Sequence, residues 1–160
     1  NFTHIYSSPQ PRALKTAKVL FDPKKITVME DIYEYKRPKF LNGAEKDAAI
    51  KFWEVDQKEN KYLPSWKYDD SESFNEIVTR VKKLQTFLTV SQSNQDTLAI
   101  IGHGTFFLHF IGLSLMGDSY SPIVFFDLLR NISLENGGVF VLDFTSKAGK
   151  LIGLFNPDSF

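Results

Sequence analysis

Cysteine is missing from this chain of 160 residues, and histidine is scarce, with three residues. Without cysteine, the protein can form neither disulfides, nor a thiolate nucleophile, nor a cysteine-ligated zinc or iron–sulfur centre. His4, His103 and His109 do not suggest a metal site, because His103 and His109 are six residues apart, off the spacing of one helix face. We therefore expect no metal and no cofactor.

Net charge is also missing, because nineteen basic and nineteen acidic residues cancel. No overall field attracts nucleic acid or an anionic membrane, so any recognition of anions has to be local. The longest apolar run, residues 105–116, contains a histidine and is shorter than the roughly 20 residues that cross a bilayer. No secretion signal is visible at residues 1–4. These features predict a cytoplasmic protein without nucleic-acid or membrane partners, and they leave the oligomeric state open.

The chain does have ample material for a core, since 42% of its residues are hydrophobic, and its length suits a single domain over residues 1–160. Periodicity predicts strands at 3–7, 26–29 and 97–101, the last buried on both faces, and a terminal hairpin of 138–144 with 151–155. Helices are predicted at 11–20, 44–58, 71–90 (capped by Ser71), 105–116 and 121–129. The alternation predicts an α/β three-layer sandwich, with a mostly parallel sheet, an antiparallel edge and helices on both faces.

Two predicted strand ends carry the residues that suggest chemistry. Ser8 and Pro9 follow the first strand and lead into a helix with Arg12 in its first turn, and Gly102-His103-Gly104 ends the third strand. Ligands of open α/β sheets bind beyond the carboxyl ends of strands, where helix N-termini offer N–H groups to anions. An arginine fork fits phosphate oxygens, and a histidine between glycines can add a hydrogen bond. The two strand ends together indicate a phosphate pocket.

These segments resemble the signatures of a known family. Ser7-Ser8-Pro9-x-x-Arg12-Ala13-x-x-Thr16-Ala17 and Ile100-Ile101-Gly102-His103-Gly104 are similar to two motifs of the histidine phosphatase superfamily, in its phosphoglycerate-mutase-like branch. The resemblance implies transfer of a phosphoryl group from a small phosphorylated substrate to a histidine, and then to water or another hydroxyl. It also implies that Arg12, His103 and Gly104 bind the phosphoryl group, with Arg12 and His103 catalytic.

The resemblance further implies an acidic proton donor in the loop after the second strand. Glu30, Asp31 and Glu34 are the candidates, and Glu34 matches the position best, although it could instead pair with Lys36 or Arg37. Arg37 is a candidate contact for a substrate anion. The choice between phosphatase and mutase, and the identity of the substrate, stay open. Aromatic residues of the same region could form the walls of a lid or simply pack as satellite core: Tyr33, Tyr35, Phe40, Trp53, Tyr62 and Trp66.

One expected motif is not found in the sequence. The family's nucleophile belongs to an arginine-histidine-glycine triplet upstream of the serine-serine-proline turn, and His4 has neither neighbour. We therefore expect the domain to be incomplete at its N-terminus and inactive without the triplet. Two alternatives remain: a non-catalytic phosphate-binding or interaction domain, and a nucleotide-binding α/β domain, although the latter lacks a glycine-rich loop.

Overall fold

A three-stranded parallel sheet lies at the centre of the fold in the computed structural model, which describes residues 2–90, 95–132, 134–143 and 150–157. Its strands are β1 (His4–Ser7), β2 (Ile26–Val28) and β3 (Leu98–Ile101), in the order β2-β1-β3. Residues 5–7 of β1 are buried because this strand has a neighbour on each side. All three strands are parallel, so their carboxyl ends lie together at one end of the sheet. The candidate site lies at this end.

The strand β3 is less buried than the sequence predicts. A continuous apolar run is typical of a strand covered on both faces, yet all four of its residues are only half-buried. The prediction was wrong because β3 lies at the edge of the sheet among the described residues, paired with β1 alone.

A second sheet is formed by the predicted hairpin. Strands β4 (Val139–Asp143) and β5 (Lys150–Phe155) pair antiparallel, with an irregularity between Val141 and Leu142. The predicted turn at 146–150 lies outside the described residues except for Lys150, which begins β5. Within the described ranges these strands are a separate sheet and not a margin of the parallel one.

Helix α1 (Pro11–Leu20) begins where the sequence predicts, with a proline in its first turn. Ala13 and Ala17 are buried, which lets the helix approach the sheet closely. The predicted apolar face was too wide, however, because Val19 and Leu20 are 85% and 62% exposed. The buried stripe is a narrow one of small residues.

Helix α3 (Phe74–Val90) supplies one wall of the core. Ser73, and not Ser71 as predicted, caps it: the Ser73 Oγ accepts from the Glu76 N–H, while the Glu76 carboxylate accepts from the Ser73 N–H. This reciprocal pair is a capping box. The predicted stripe is confirmed, since its four members are buried in the main apolar cluster: Ile77, Val81, Leu84 and Leu88.

The remaining helices are α2 (Lys46–Lys51), α4 (Gly104–Met116) and α5 (Pro122–Asn131). The helix predicted over 44–58 is shorter, because α2 passes into a wider π-helical turn at Phe52–Asp56. The apolar helix α4 is buried along its middle and ends at Met116, and its C-cap is Gly117, whose positive φ of 54° suits glycine. The predicted α/β class, a mostly parallel sheet surrounded by helices, is confirmed. Within the described ranges no helix is both long and apolar enough to cross a membrane.

Candidate active site

The two motifs predicted to form a phosphate pocket contact each other directly. The Nε of Arg12 donates to the Nδ1 of His103 over 3.0 Å, and the Nε2 of His103 lies 2.7 Å from the Ser8 Oγ. This contact follows from the fold, because β1 and β3 are neighbours and Ser7 lies opposite Ile101 in the register. Each strand therefore delivers its polar residues to the same place.

The hydrogen bonds of His103 define its tautomer. The Nε of arginine can only donate, so Nδ1 of His103 has to accept, and the ring proton is carried by Nε2 and donated to Ser8. Burial lowers the pKa of His103 to about 4, with further lowering by the positive charges of Arg12 and Arg80. Only 4% of the residue is exposed, and the imidazole is neutral at pH 7.

Glu34 is the acidic residue that reaches this site. Its Oε2 lies 3.9 Å from Nη2 of Arg12, and its two oxygens accept from the backbone N–H groups of Tyr35, Thr105 and Phe106. Two of these donors belong to the first turn of α4, where free N–H groups attract an anion. The carboxylate contacts Arg12 and not Lys36 or Arg37.

The other acidic candidates lie elsewhere. Asp31 pairs with Lys83 on the surface, with Nζ 3.2 Å from its Oδ2, and Glu30 is exposed in a short 3₁₀ turn at Glu30–Ile32. Of the three acidic residues that the sequence left open, the fold brings only Glu34 to Arg12.

The two glycines beside His103 differ in how much space a side chain would have at each position. A Cβ on Gly102 would lie 2.8 Å from the ring of Phe107, so a side chain there would force that ring to move. A Cβ on Gly104 would meet only the Leu134 carbonyl oxygen, at an ordinary 3.7 Å. Gly104 is exposed at the start of α4, immediately before Thr105, whose N–H donates to Glu34.

Arg37 is placed beside a neighbouring cavity rather than against His103. This cavity, called here the aromatic pocket, also includes Thr105 and Lys61 in its wall. Six of its lining side chains are aromatic rings: Tyr35, Trp53, Trp66, Phe74, Phe125 and Phe126. The aromatic residues around Trp53 and Trp66, for which the sequence left a lid or plain core packing open, thus surround a cavity.

The other two histidines do not reach the site. His4 lies at the opposite end of β1, with its Nε2 3.9 Å from the Asp96 carboxylate. His109 is buried within α4, where its Nδ1 is 2.8 Å from the Tyr120 hydroxyl and its ring stacks on Phe125. Across the part of the chain that the structure describes, no three acidic or histidine side chains are grouped to hold a metal ion.

Sequence reasoning missed a buried ion pair that holds the Glu34 segment. The Nε and Nη2 of Arg80 donate to the two oxygens of Glu72 at 2.7 and 2.6 Å, and Nη1 donates to the carbonyls of Asp31 and Tyr33. A signal was present, because Arg80 falls between Ile77 and Leu84 on the apolar face of α3. A charge in such a stripe needs a buried partner.

The chain matches one known protein family. A family model described as the histidine phosphatase superfamily (branch 1) matches residues 1–157. The chain belongs to this superfamily. Among curated proteins, no significant match was found.

Two solved structures share the fold. One is a candidate alpha-ribazole-5′-P phosphatase from Escherichia coli K-12, with a TM-score of 0.71 and 15% identity, over 98% of this chain and 74% of that one. The other is the product of the open reading frame Rv3214 from Mycobacterium tuberculosis, with a TM-score of 0.63 and 16% identity, over 94% and 70% of the two chains. At such identities the likeness establishes the architecture alone.

Proposed function

We propose that the protein is a phosphomonoester hydrolase or phosphomutase that works through a phosphohistidine. Membership of the superfamily and the likeness to a candidate phosphatase support chemistry on phosphate esters. The observation that carries the proposal is the direct contact of Arg12 with His103 where β1 and β3 end side by side.

In this proposal Arg12 and His103 hold the transferring phosphoryl group, and a phosphoryl oxygen replaces the Ser8 hydroxyl as the acceptor of the His103 Nε2–H. The side chain of Arg12 is 65% exposed, so its outer nitrogens are open to a ligand while Nε stays fixed on His103. Phosphoryl transfer depends mainly on positioning and on neutralising the charge of the equatorial oxygens. A guanidinium beside an imidazole supplies both a positive charge and a hydrogen-bond donor, and the exposed backbone of Gly104 can approach the same oxygens.

Glu34 is the proposed proton donor to the leaving oxygen, and Arg37 the proposed contact for an anionic part of the substrate. Glu34 suits the role because its Oε2 lies 3.9 Å from Nη2 of Arg12, and its bonds to α4 fix its position. A general acid has to be within hydrogen-bond reach of the atom it protonates. In this proposal a phosphoryl group on Arg12 has its leaving oxygen within that reach of Glu34.

The nucleophile is proposed to come from a strand that carries the arginine-histidine-glycine triplet. His103 is the sole histidine at the site, and β3 has no second strand partner among the described residues. A strand added at that edge would end beside His103. Without it, we expect residues 1–160 to bind phosphate but not to turn over a phosphomonoester.

The test is hydrolysis by the complete natural protein and by its Arg12→Ala and His103→Ala variants. Each variant should lower kcat/KM for an aryl phosphate by roughly 100-fold or more, because a charge or donor aimed at the transition state is lost. Lys15→Ala is the matched control, since Lys15 is exposed on the same helix. Near-normal hydrolysis in either site variant would refute the assigned roles. Phosphate binding by a complete protein that never hydrolyses an ester would instead favour the non-catalytic alternative.

Glu34→Gln tests the proton donor in the same protein. The amide keeps the shape of the side chain but cannot supply the proton, so kcat should fall most for alkyl phosphates, whose leaving groups need protonation. For p-nitrophenyl phosphate, whose leaving group departs as an anion, the loss should be small. Equal losses for both substrates would show that Glu34 only supports the structure.

A further inference from the structure

The aromatic pocket adjoins the proposed phosphoryl site. Thr105, in its wall, is two residues from His103, and the Thr105 N–H donates to Glu34. Tyr35 follows Glu34 in the chain and also lines the pocket. A phosphate ester bound at Arg12 and His103 would therefore direct its organic part toward these rings.

The rings leave space instead of filling it. Trp53 and Trp66 meet edge to face with centroids 6.3 Å apart, and Trp53 lies at the same centroid distance from Phe126. Both tryptophans remain half-buried, and a cavity of about 190 Å³ is left between the walls. Plain core packing would have closed it, because protein interiors are packed nearly as densely as organic crystals.

The charges in the wall are already matched within the protein. Lys61, whose side chain is 1% exposed, pairs with Glu54 at 2.8 Å, and its Nζ lies 5.0 Å from the Phe126 ring centroid. Glu72 is likewise occupied by Arg80. Arg37, in contrast, is exposed and has no ion pair among the described residues. The interior of the pocket thus suits a neutral apolar group of a ligand, while Arg37 offers a positive charge at the rim.

The volume of the aromatic pocket indicates the size of the apolar group that it can hold. A cavity of about 150 Å³ lined by apolar side chains takes up benzene, and this one is somewhat larger, at about 190 Å³. One aromatic ring fits, or a small fused pair. Aromatic walls favour a flat guest, because ring pairs are most stable when offset or edge to face.

We propose that the substrates are phosphomonoesters of planar aromatic alcohols, with the ring held in the aromatic pocket and the phosphoryl group at Arg12 and His103. This rests on the proposed function. Hydrolysis would break the ester P–O bond and release the aromatic alcohol and inorganic phosphate, with water supplying the added oxygen and both protons.

The test compares two non-hydrolysable ligands that differ in the ring. Methylphosphonate and benzylphosphonate carry the same charged group, so calorimetric titration of the complete protein isolates the contribution of the aromatic part. Benzylphosphonate should bind roughly tenfold more tightly, given the apolar area that a ring buries and the cost of fixing it. The chain has two tryptophans, both in the pocket wall, so benzylphosphonate should also change tryptophan emission.

Substitutions of the two tryptophans test whether the ring of benzylphosphonate binds in the aromatic pocket. Trp66→Ala and Trp53→Leu should each remove most of the tenfold advantage while leaving methylphosphonate affinity unchanged, which also shows that the phosphoryl site is still folded. Phe2→Ala is the matched control, because Phe2 is an exposed aromatic residue on the approach to β1, away from the pocket. It should leave both affinities unaltered.

The two proposals fail in different ways. If both phosphonates bind with the same affinity, or the tryptophan variants keep the full ring advantage, the aromatic substrate class is wrong and the phosphoryl site stands. If neither phosphonate binds, the proposed function is wrong and the inference falls with it.

Discussion

At the scale of single residues, His103 is held neutral by its surroundings. Arg12 donates to one ring nitrogen and Ser8 accepts from the other, so both nitrogens are occupied by groups that fit the uncharged imidazole. Burial, Arg12 and Arg80 lower its pKa to about 4. A bound phosphate dianion would oppose the two arginines, since a nearby negative charge stabilises the protonated ring.

We predict that phosphate raises the pKa of His103. The measurement is an NMR titration of the His103 ring signals with and without saturating inorganic phosphate. The apparent pKa should move upward from about 4, and the shift should vanish in Arg12→Ala, which loses the anion contact. Identical titration curves in the presence and absence of phosphate would contradict the placement of the phosphoryl group.

At the scale of elements, the buried Arg80–Glu72 pair joins helix α3 to the segment that carries Glu34. Arg80 holds the carbonyls of Asp31 and Tyr33, and Glu72 accepts from the Lys36 N–H. Both side chains are at most 7% exposed. The pair thus fixes the backbone on both sides of Glu34, so that Glu34 can reach the first turn of α4.

Arg80→Met should destabilise the fold by about 3–5 kcal/mol, because it leaves a buried carboxylate without its partner. Urea denaturation measures the free energy of unfolding. The double variant Arg80→Met/Glu72→Gln should recover part of the loss, since the unpaired charge is gone. A loss below about 1 kcal/mol in the single variant, within the range of exposed ion pairs, would show that the pair does not hold the segment.

At the scale of the whole molecule, two buried histidines make the fold sensitive to acid. Burial, with a smaller effect of Arg80, lowers the pKa of His109 to about 3, while its ring is enclosed by Tyr120, Phe125, Phe74 and Tyr35. An unfolded histidine binds its proton near pH 6.5. Between that pH and about 4 the unfolded chain therefore holds more protons than the folded one, and stability falls as the pH falls.

We predict a decrease of about 1.4 kcal/mol per pH unit for each of the two histidines as the pH falls below 6.5. Urea denaturation at pH 7, 6 and 5 gives the slope. His109→Gln keeps a polar partner for the Tyr120 hydroxyl but cannot titrate, so it should remove about half of the slope. A slope unchanged by this substitution would mean that His109 is not the group responsible.

The sequence alone determined the local structure and most of the candidate chemistry. The stripe of α3, the proline start of α1 and the order of strands and helices follow from periodicity and from backbone preferences, which are local properties. Arg12 and His103 became candidates because they follow predicted strand ends, whereas Glu34 became one only through the resemblance to a known family, with Glu30 and Asp31 as alternatives.

Only the tertiary structure decided which of these residues meet. The pairing of β1 with β3 brings Arg12 to His103, and packing against α4 selects Glu34 over Glu30 and Asp31. The half-buried state of β3, the Arg80–Glu72 pair and the aromatic pocket depend on neighbours that are remote in sequence. Such contacts are set by the packing of whole elements, and no local pattern encodes their distances.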